Sequence, residues 1–380
     1  MNSKTTPLAL LATAVTFAAL AAGGGCARLA PGGGSMRDTA YIGVAVGLEN
    51  PARYVNVFHG VQLALDELNA RRPAGAPVLA MRRAPTDART HLDVASAFVR
   101  DSSVVGVVGH TESEPTIEAA AIYEDRAGRG RNALVAISPT ANGTMVTRLN
   151  DWVFRVCPVG TRQAEALARY AMDSLGLRRF GVFYRNDASG KDFTRAFAHE
   201  VIQSGGTVVA RDPFVEAFPE FEAYAIRMAR RGVQAVGFVG NIAEAREALR
   251  ALHAAGITPV MFSTNVPGAS DTAMRRDFRG VRYASLYDGD DPRDTAAYRF
   301  GRDFERAVGV RPDQWGALAY DAAMLIGRAV HARGADRHRV RDWVASVGRG
   351  QPAYDGVTGT IRFDEHGDPM KHVPVGTVGE

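Results

Sequence analysis

The chain has 380 residues, 46% of them hydrophobic and 23% charged, with a formal net charge of +4. That length exceeds what one hydrophobic core usually fills, and that composition belongs to a folded chain, so two lobes are expected. The basic residues are interleaved with acids, as Arg71, Arg72, Arg82 and Arg83 are with Asp66, Glu67 and Asp87. The clustered basic surface of a nucleic-acid reader is missing, and no nucleic-acid partner is expected.

Near the start, Lys4 precedes an uncharged run from Pro7 to Ala22, which ends in Gly23-Gly24-Gly25-Cys26. The run is shorter than the ~20 residues of a spanning helix and ends in small residues, as an export signal does. A single membrane anchor is the competing reading. Small residues before Cys26 resemble the lipobox of bacterial lipoproteins, in which that cysteine is lipidated, although Gly23 stands where that box usually has Leu. Residues 1–26 are thus read as a lipoprotein-type signal peptide with Cys26 as lipidation site, and 27–38 as a flexible glycine-rich tether. Cys157 is the one other cysteine. It sits in strand-like sequence and is expected to be a small core residue, without a disulfide partner if Cys26 is acylated.

From Tyr41 onwards, short β-branched runs alternate with amphipathic stretches. Tyr41–Val46 predicts a buried strand, and Val55–Ala70 a helix with Val57, Phe58, Val61, Ala64, Leu65 and Leu68 on one face. Pro73 stops it. Val78–Arg82 predicts a strand and His91–Arg100 a helix; Val104–Val108 (VVGVV) is continuous apolar sequence, as in a strand covered on both sides. Thr116–Arg126 then reads as helix and Leu134–Ile137 as strand. After a pause around Trp152–Gly160 the rhythm repeats. It gives helices at Gln163–Leu175, Phe193–Ser204, Phe221–Arg231 and Ile242–Ala255, between strands at Phe180–Tyr184, Thr207–Ala210, Val233–Val239 and Val260–Ser263. Beyond Gly280 a strand at Val281–Tyr287 leads to helices at Thr295–Val308, Trp315–Ala332 and Val340–Val347, and to an extended tail at Tyr354–Phe363. Such alternation implies right-handed crossovers and parallel sheets with helices on both faces. The expected fold is α/β, with two doubly wound parallel-sheet lobes joined by a multi-strand hinge. Lobe 1 is expected at 39–157 plus 286–354, and lobe 2 at 158–285 plus 355–380.

Ligands of open parallel sheets sit beyond the carboxyl ends of the strands, where loops feed helix starts. Three first-lobe loops fit: Leu48-Glu49-Asn50, Gly109-His110-Thr111-Glu112-Ser113, and Ser138-Pro139-Thr140-Ala141-Asn142-Gly143. Amides and hydroxyls there favour a carboxylate, although Thr111, Ser113 and Asn142 are also ordinary caps and turn formers. Catalytic patterns are absent. The sequence has no Gly-x-Ser-x-Gly elbow, no His-Glu-x-x-His pair and no Gly-x-Gly-x-x-Gly after the first strand. Ser189-Gly190-Lys191-Asp192 lacks the earlier glycine of a phosphate loop. No cofactor, metal or enzymatic activity is expected.

Those loops carry a resemblance. Gly60–Asn69 (GVQLALDELN), Val104–Ser113, Val135–Asn142, Phe154–Pro158, Gly181–Gly190, Tyr320-Asp321-Ala322 and Tyr354–Asp368 are similar, in order and spacing, to the type I periplasmic binding proteins of the leucine/isoleucine/valine-binding family. The resemblance implies an extracytoplasmic solute-binding protein of an ABC importer, with a permease as partner and a small polar ligand clamped between lobes. It also implies that Ser113, Ala141 and Asn142 hold the ligand's acidic end; Thr111, from the same loop as Ser113, is a further binding candidate, and Tyr54 is a candidate for lining the cleft or for the core. Ser189, Asn241 and Asn265 would close over it from the second lobe. The family's second-lobe tyrosine and acid are replaced by Ser189 and Asn265, and Glu112 stands where one cysteine of its first-lobe disulfide would be. An ammonium buried without a carboxylate costs several kcal/mol, so the substitutions point as well to amides and related carboxylates. Glu244 is a substitute acid or a solvated helix start; Tyr184 and Tyr287 are further cleft candidates. Alternatives to transport are a ligand-sensing lipoprotein of the same fold and a non-transport envelope lipoprotein.

Overall fold

The computed structural model describes residues 39–48, 54–215, 220–257, 260–264 and 276–379. The expected signal peptide, Cys26, the tether, Glu49, Asn50 and Asn265 lie outside these residues.

The first sheet is wholly parallel. It is built from β1 (Thr39–Ala45), β2 (Val78–Arg83), β3 (Val104–Gly109), β4 (Ala136–Ser138) and β5 (Val153–Arg155), in the order β2-β1-β3-β4-β5. Its central strand β3 is buried at every position, which is why VVGVV carries no polar alternation. On one face α2 (His91–Arg100) and α3 (Ser113–Tyr123) pack Phe98, Ala119 and Tyr123 against Val104 and Val107. On the other, α1 (Val55–Ala70) buries Val57, Val61 and Leu65 with Ile42 and Val44.

The second sheet has the order β13-β10-β9-β8-β6-β7. Its strands are β6 (Arg179–Arg185), β7 (Thr207–Phe214), β8 (Ala235–Val239), β9 (Val260–Ser263), β10 (Arg282–Ala284) and β13 (Val375–Thr377). Helices α4 (Gly160–Arg169), α5 (Ala188–Gln203), α6 (Phe221–Arg230) and α7 (Ile242–Ala254) flank it. Phenylalanines 180, 193, 197 and 262 fill one side, and 183, 214, 221 and 238 the other. Two differences from the sequence reading appear here. The helix expected to Leu175 changes to a π-turn at Tyr170–Ser174. β13 was not anticipated, and it pairs antiparallel with β10, so this sheet is mixed at one edge.

The chain leaves the first sheet after β5 and returns to its core beyond β10 with α8 (Thr295–Val308), α9 (Gln314–Arg333) and α10 (Arg337–Ala345), and it crosses again to form β13. Helices α1 and α9 approach so closely that a Cβ on Gly60 would lie 2.1 Å from the Gly316 carbonyl oxygen. Here glycine is required by contact. The hairpin of β11 (Tyr354–Gly356) and β12 (Gly359–Ile361) spans the boundary expected at 354/355. Val357, Ile361, Phe363 and Val373 bury into the same core as Ile42 and Leu325, on the first-sheet side.

Two buried ionic groups fasten these crossings. Asp321, wholly buried within α9, accepts from the Tyr354 hydroxyl (3.0 Å) and the Val357 and Thr358 amides (2.9 Å each), gripping the hairpin turn. Lys371 donates to the Thr358 hydroxyl at 2.8 Å, and burial lowers its ammonium to about 8 despite Asp321 nearby. Arg155, at the end of β5 and wholly buried, donates to Asp368 at 2.6 Å and to the Gly143 and Ala141 carbonyls at 2.7 and 3.3 Å. Thr147 donates to the same Asp368 oxygen at 2.5 Å. Burial alone would raise the Asp368 carboxyl; Arg155 overrides it and holds the group below its ordinary value. Arg155→Met removes the buried cation from that carboxylate and leaves only Arg148, at 3.8 Å, to pair with it. The variant is expected to lose ~3–5 kcal/mol of stability, read as a lowered urea midpoint; an unchanged midpoint refutes the pair's role as a fastener.

Candidate functional site

The carboxyl ends of β1, β3 and β4 release three loops that are stitched into one surface. The Gly47 amide donates to the Thr111 hydroxyl at 3.2 Å, and Thr140 donates to the Thr111 carbonyl at 2.5 Å. Ser138 donates to the His110 carbonyl at 2.5 Å and accepts from the Ala141 amide at 3.0 Å. The Gly143 amide donates to Ser113 Oγ at 3.0 Å. The loops His110–Ser113 and Ser138–Asn142 therefore converge. A serine hydroxyl that accepts one N–H still has its own proton to donate. At the start of α3, where the first amides of a helix have no intrahelical acceptor, it is suited to an anionic oxygen.

The second sheet meets this surface through the start of α5. A Cβ on Gly143 would lie 3.0 Å from Ser113 Oγ and 3.7 Å from Ser189 Oγ, and Thr144 donates to Asp192 at 2.8 Å. Exposed Ser189 thus faces Ser113 across Gly143. Asn142 is half-buried beside them, its carbonyl accepting from the Gly160 amide at 2.7 Å.

Other expected site residues have their groups engaged in the protein. Ala141 is 1% exposed; its amide goes to Ser138 and its carbonyl to Arg155 and to Cys157 Sγ, the latter at 3.4 Å. It shapes the loop rather than offering a donor. Thr111, also buried, ties two loops together. Asn241 caps α7: its side chain accepts from the Glu244 amide at 2.9 Å, and Glu244 accepts in return from the Asn241 amide at 2.7 Å. Glu244 is neither solvated nor open to a ligand. It is 4% exposed, and its other oxygen holds Arg185 at 2.8 Å. Cys157 is a buried thiol, as expected, pushed up to about 11 by burial. Tyr184 packs against the second-sheet core. Tyr287 lines a cavity of about 510 Å³ with Asp288, Asp313 and Gln314, apart from the loop tips.

Two residues of the surface escaped the sequence reading as binding groups. Tyr54, at the start of α1, donates to the Glu112 carboxylate and stacks on Trp315 with ring centroids 5.7 Å apart. The sequence places Glu112 in the loop after β3 and as a replacement for cysteine, and Trp315 at a helix start, with neither singled out as a ligand contact. Among the described residues, no cluster of three or more His, Cys, Asp or Glu side chains could hold a metal ion, and no helix is long and apolar enough to cross a membrane.

A model of the family described as periplasmic binding protein matches residues 40–379. The chain belongs to that family. It is 23% identical over 338 residues to an amino acid binding protein of Pseudomonas aeruginosa, covering 86% of this chain and 87% of that one. Its fold is similar to an ABC transporter substrate-binding protein of Desulfitobacterium hafniense in complex with Leu, with TM-score 0.75, 24% identity, and 89% and 96% of the two chains covered. It is also similar to a solute binding protein of an ABC transporter from R. palustris in complex with benzoate, with TM-score 0.73, 16% identity, and 90% and 93% covered. The architecture is the type I periplasmic binding protein fold, and members of the family are binding proteins.

His110 supports the stitched surface from beneath. It is wholly buried, its ring bonded to the Tyr123 hydroxyl at 2.9 Å, and burial, with His91 beside it, lowers its imidazole to about 3. The unfolded chain binds this proton more readily, so the contribution is fully present above the unfolded pKa of about 6.5 and is lost as pH falls towards 3. Melting curves between pH 7 and 4 should show a steeper loss of Tm in the wild type than in His110→Gln. Parallel slopes would remove His110 as the cause.

Proposed function

We propose that this chain is the solute-binding component of an ABC importer, exported and tethered to the membrane by a lipid on Cys26. It takes a small polar ligand, such as an amino acid, amide or related carboxylate, between its lobes. The observation that carries this reading is the meeting of Ser113 and Ser189 across Gly143, one from each sheet, on a surface stitched by three first-sheet loops. Ser113 and the opening amides of α3 take the ligand's anionic end. Asn142 flanks it, Tyr54 supplies an aromatic wall, and Ser189 closes from the other side.

The hinge follows from the three crossings of the chain, and residues 39–157 with the α8–α10 region move as one lobe against the second sheet. Closure occurs only if the ligand contacts both faces better than water does. The bond from Thr144 to Asp192 contributes to the closed form whether or not a ligand is present. A permease then recognises the closed form.

The deciding experiment is a thermal-shift screen of amino acids, amides and aromatic and aliphatic carboxylates on the mature chain. At least one class should raise Tm in a concentration-dependent way, and a flat response throughout would defeat the importer reading. For a hit, Ser113→Ala should weaken binding by ~1.5–3 kcal/mol, the worth of one hydrogen bond to a charged group, as measured by calorimetry. Cys26→Ser should move the protein from the membrane to the soluble fraction with unchanged ligand affinity. Continued membrane retention would rule out the lipid anchor.

A further inference from the structure

We infer that Glu112 is the receptor for a positive charge on the ligand, so that the first lobe alone recognises a zwitterion. The inference rests on the solute-binding reading above and adds the residue that selects for an amine. Glu112 occupies the cap position of α3 with extended backbone, yet its side chain makes no capping bond. It turns instead towards α1, where the Tyr54 hydroxyl donates to one carboxylate oxygen. Tyr54 is 5% exposed and held against Trp315, so the hydroxyl is a fixed point and the carboxylate an oriented one. The end of β1 closes the nook: a Cβ on Gly47 would lie 2.8 Å from the Tyr54 ring and 3.1 Å from Glu112 Oε1.

The carboxylate remains exposed, and among the described residues none of the ion pairs involves it. One accepted bond leaves most of its lone-pair capacity open. The contrast with Glu244 is instructive, because that acid is spent on Arg185 and on its own capping box. Glu112 is also the neighbour in sequence of Ser113, whose hydroxyl accepts from the Gly143 amide on the surface that meets Ser189. A carboxylate received at Ser113 and an ammonium received at Glu112 are the two polar groups of an α-amino acid, supplied from consecutive residues. When the lobes close and water leaves, the charge pair gains strength from the lower dielectric, and the ammonium is no longer buried alone.

The test uses calorimetric titration of the mature chain with two matched pairs of probes: L-leucine against isocaproate, and L-phenylalanine against hydrocinnamate. Each pair shares a carbon frame and differs in the amine. The wild type should bind the amine-bearing member of at least one pair about tenfold tighter or more, and Glu112→Gln should erase most of that preference while melting at the wild-type temperature. Tyr54→Phe, which frees the carboxylate without removing its charge, should keep the preference and weaken it only in part. Tighter or equal binding of the amine-free members would overturn the role of Glu112 while leaving a solute-binding protein. An undiminished preference in Glu112→Gln would overturn it too. Binding of none of the four also overturns it, and the solute-binding reading falls with it only if the wider screen is flat as well.

Discussion

Arg155 is a cation with no access to water, and the surrounding chain is arranged to satisfy it. Isolated, such a charge would be prohibitive in the interior. Its acceptors are Asp368, the Thr147 hydroxyl and the carbonyls of Ala141 and Gly143. Those carbonyls belong to the loop that meets Ser113, and Asp368 belongs to the stretch that carries the chain back towards the second sheet. A side chain that no ligand can reach therefore sets the curvature of the binding loop and the path of one crossing. Asp321 does the same on the other side of the core, holding the β11–β12 turn from within α9.

This division of labour suits a protein that must bend in one place and be stiff in others. The first-lobe tips are bound to one another by short hydrogen bonds among Ser138, Thr140, Thr111 and Ser113, so their geometry survives an opening of the cleft. By contrast the second-sheet side touches those tips through the starts of α4 and α5, with the bonds Gly160 to Asn142 and Thr144 to Asp192 between them. Such contacts are exposed enough to be exchanged for water at small cost. An equilibrium of that kind can be moved by a ligand whose affinities for the two states differ by only a few kcal/mol.

The strand–helix alternation made the fold legible, because buried parallel strands read as apolar runs and the intervening helices show a periodic apolar face. The site loops were legible for the same reason, since strand ends locate them before any side chain is considered. Less legible were positions where one residue type serves two purposes. Asn241 and Ala141 look like ligand groups and turn out to satisfy the backbone, because capping and anion recognition use the same amides and oxygens. Tyr320-Asp321 and the Tyr354–Asp368 stretch carried the family resemblance, yet Asp321 and Asp368 act inside the core rather than in the cleft. β13 is three residues long and gains its strand character only by pairing with β10, which no local pattern announces. The placement of 355–373 with the first-sheet core was hidden for a like reason, since hairpin sequence does not say which core it caps.

Where charge resides in the cleft has a consequence for the order of events. In the second lobe Glu244 is neutralised by Arg185, Asp192 at the start of α5 is taken up by Thr144 and Arg195, and Ser189 brings only a hydroxyl. If both charged groups of a ligand are met by Ser113 and Glu112, nearly all of the electrostatic recognition is complete in the open form, on a rigid surface. Closure then removes water from contacts already made and adds neutral ones, so discrimination among ligands precedes the conformational change instead of depending on it. The second lobe is left to judge size and shape. A lobe with that duty is better served by hydroxyls and aromatic edges than by a fixed charge, because an unmatched charge would penalise every ligand that fails to pair with it.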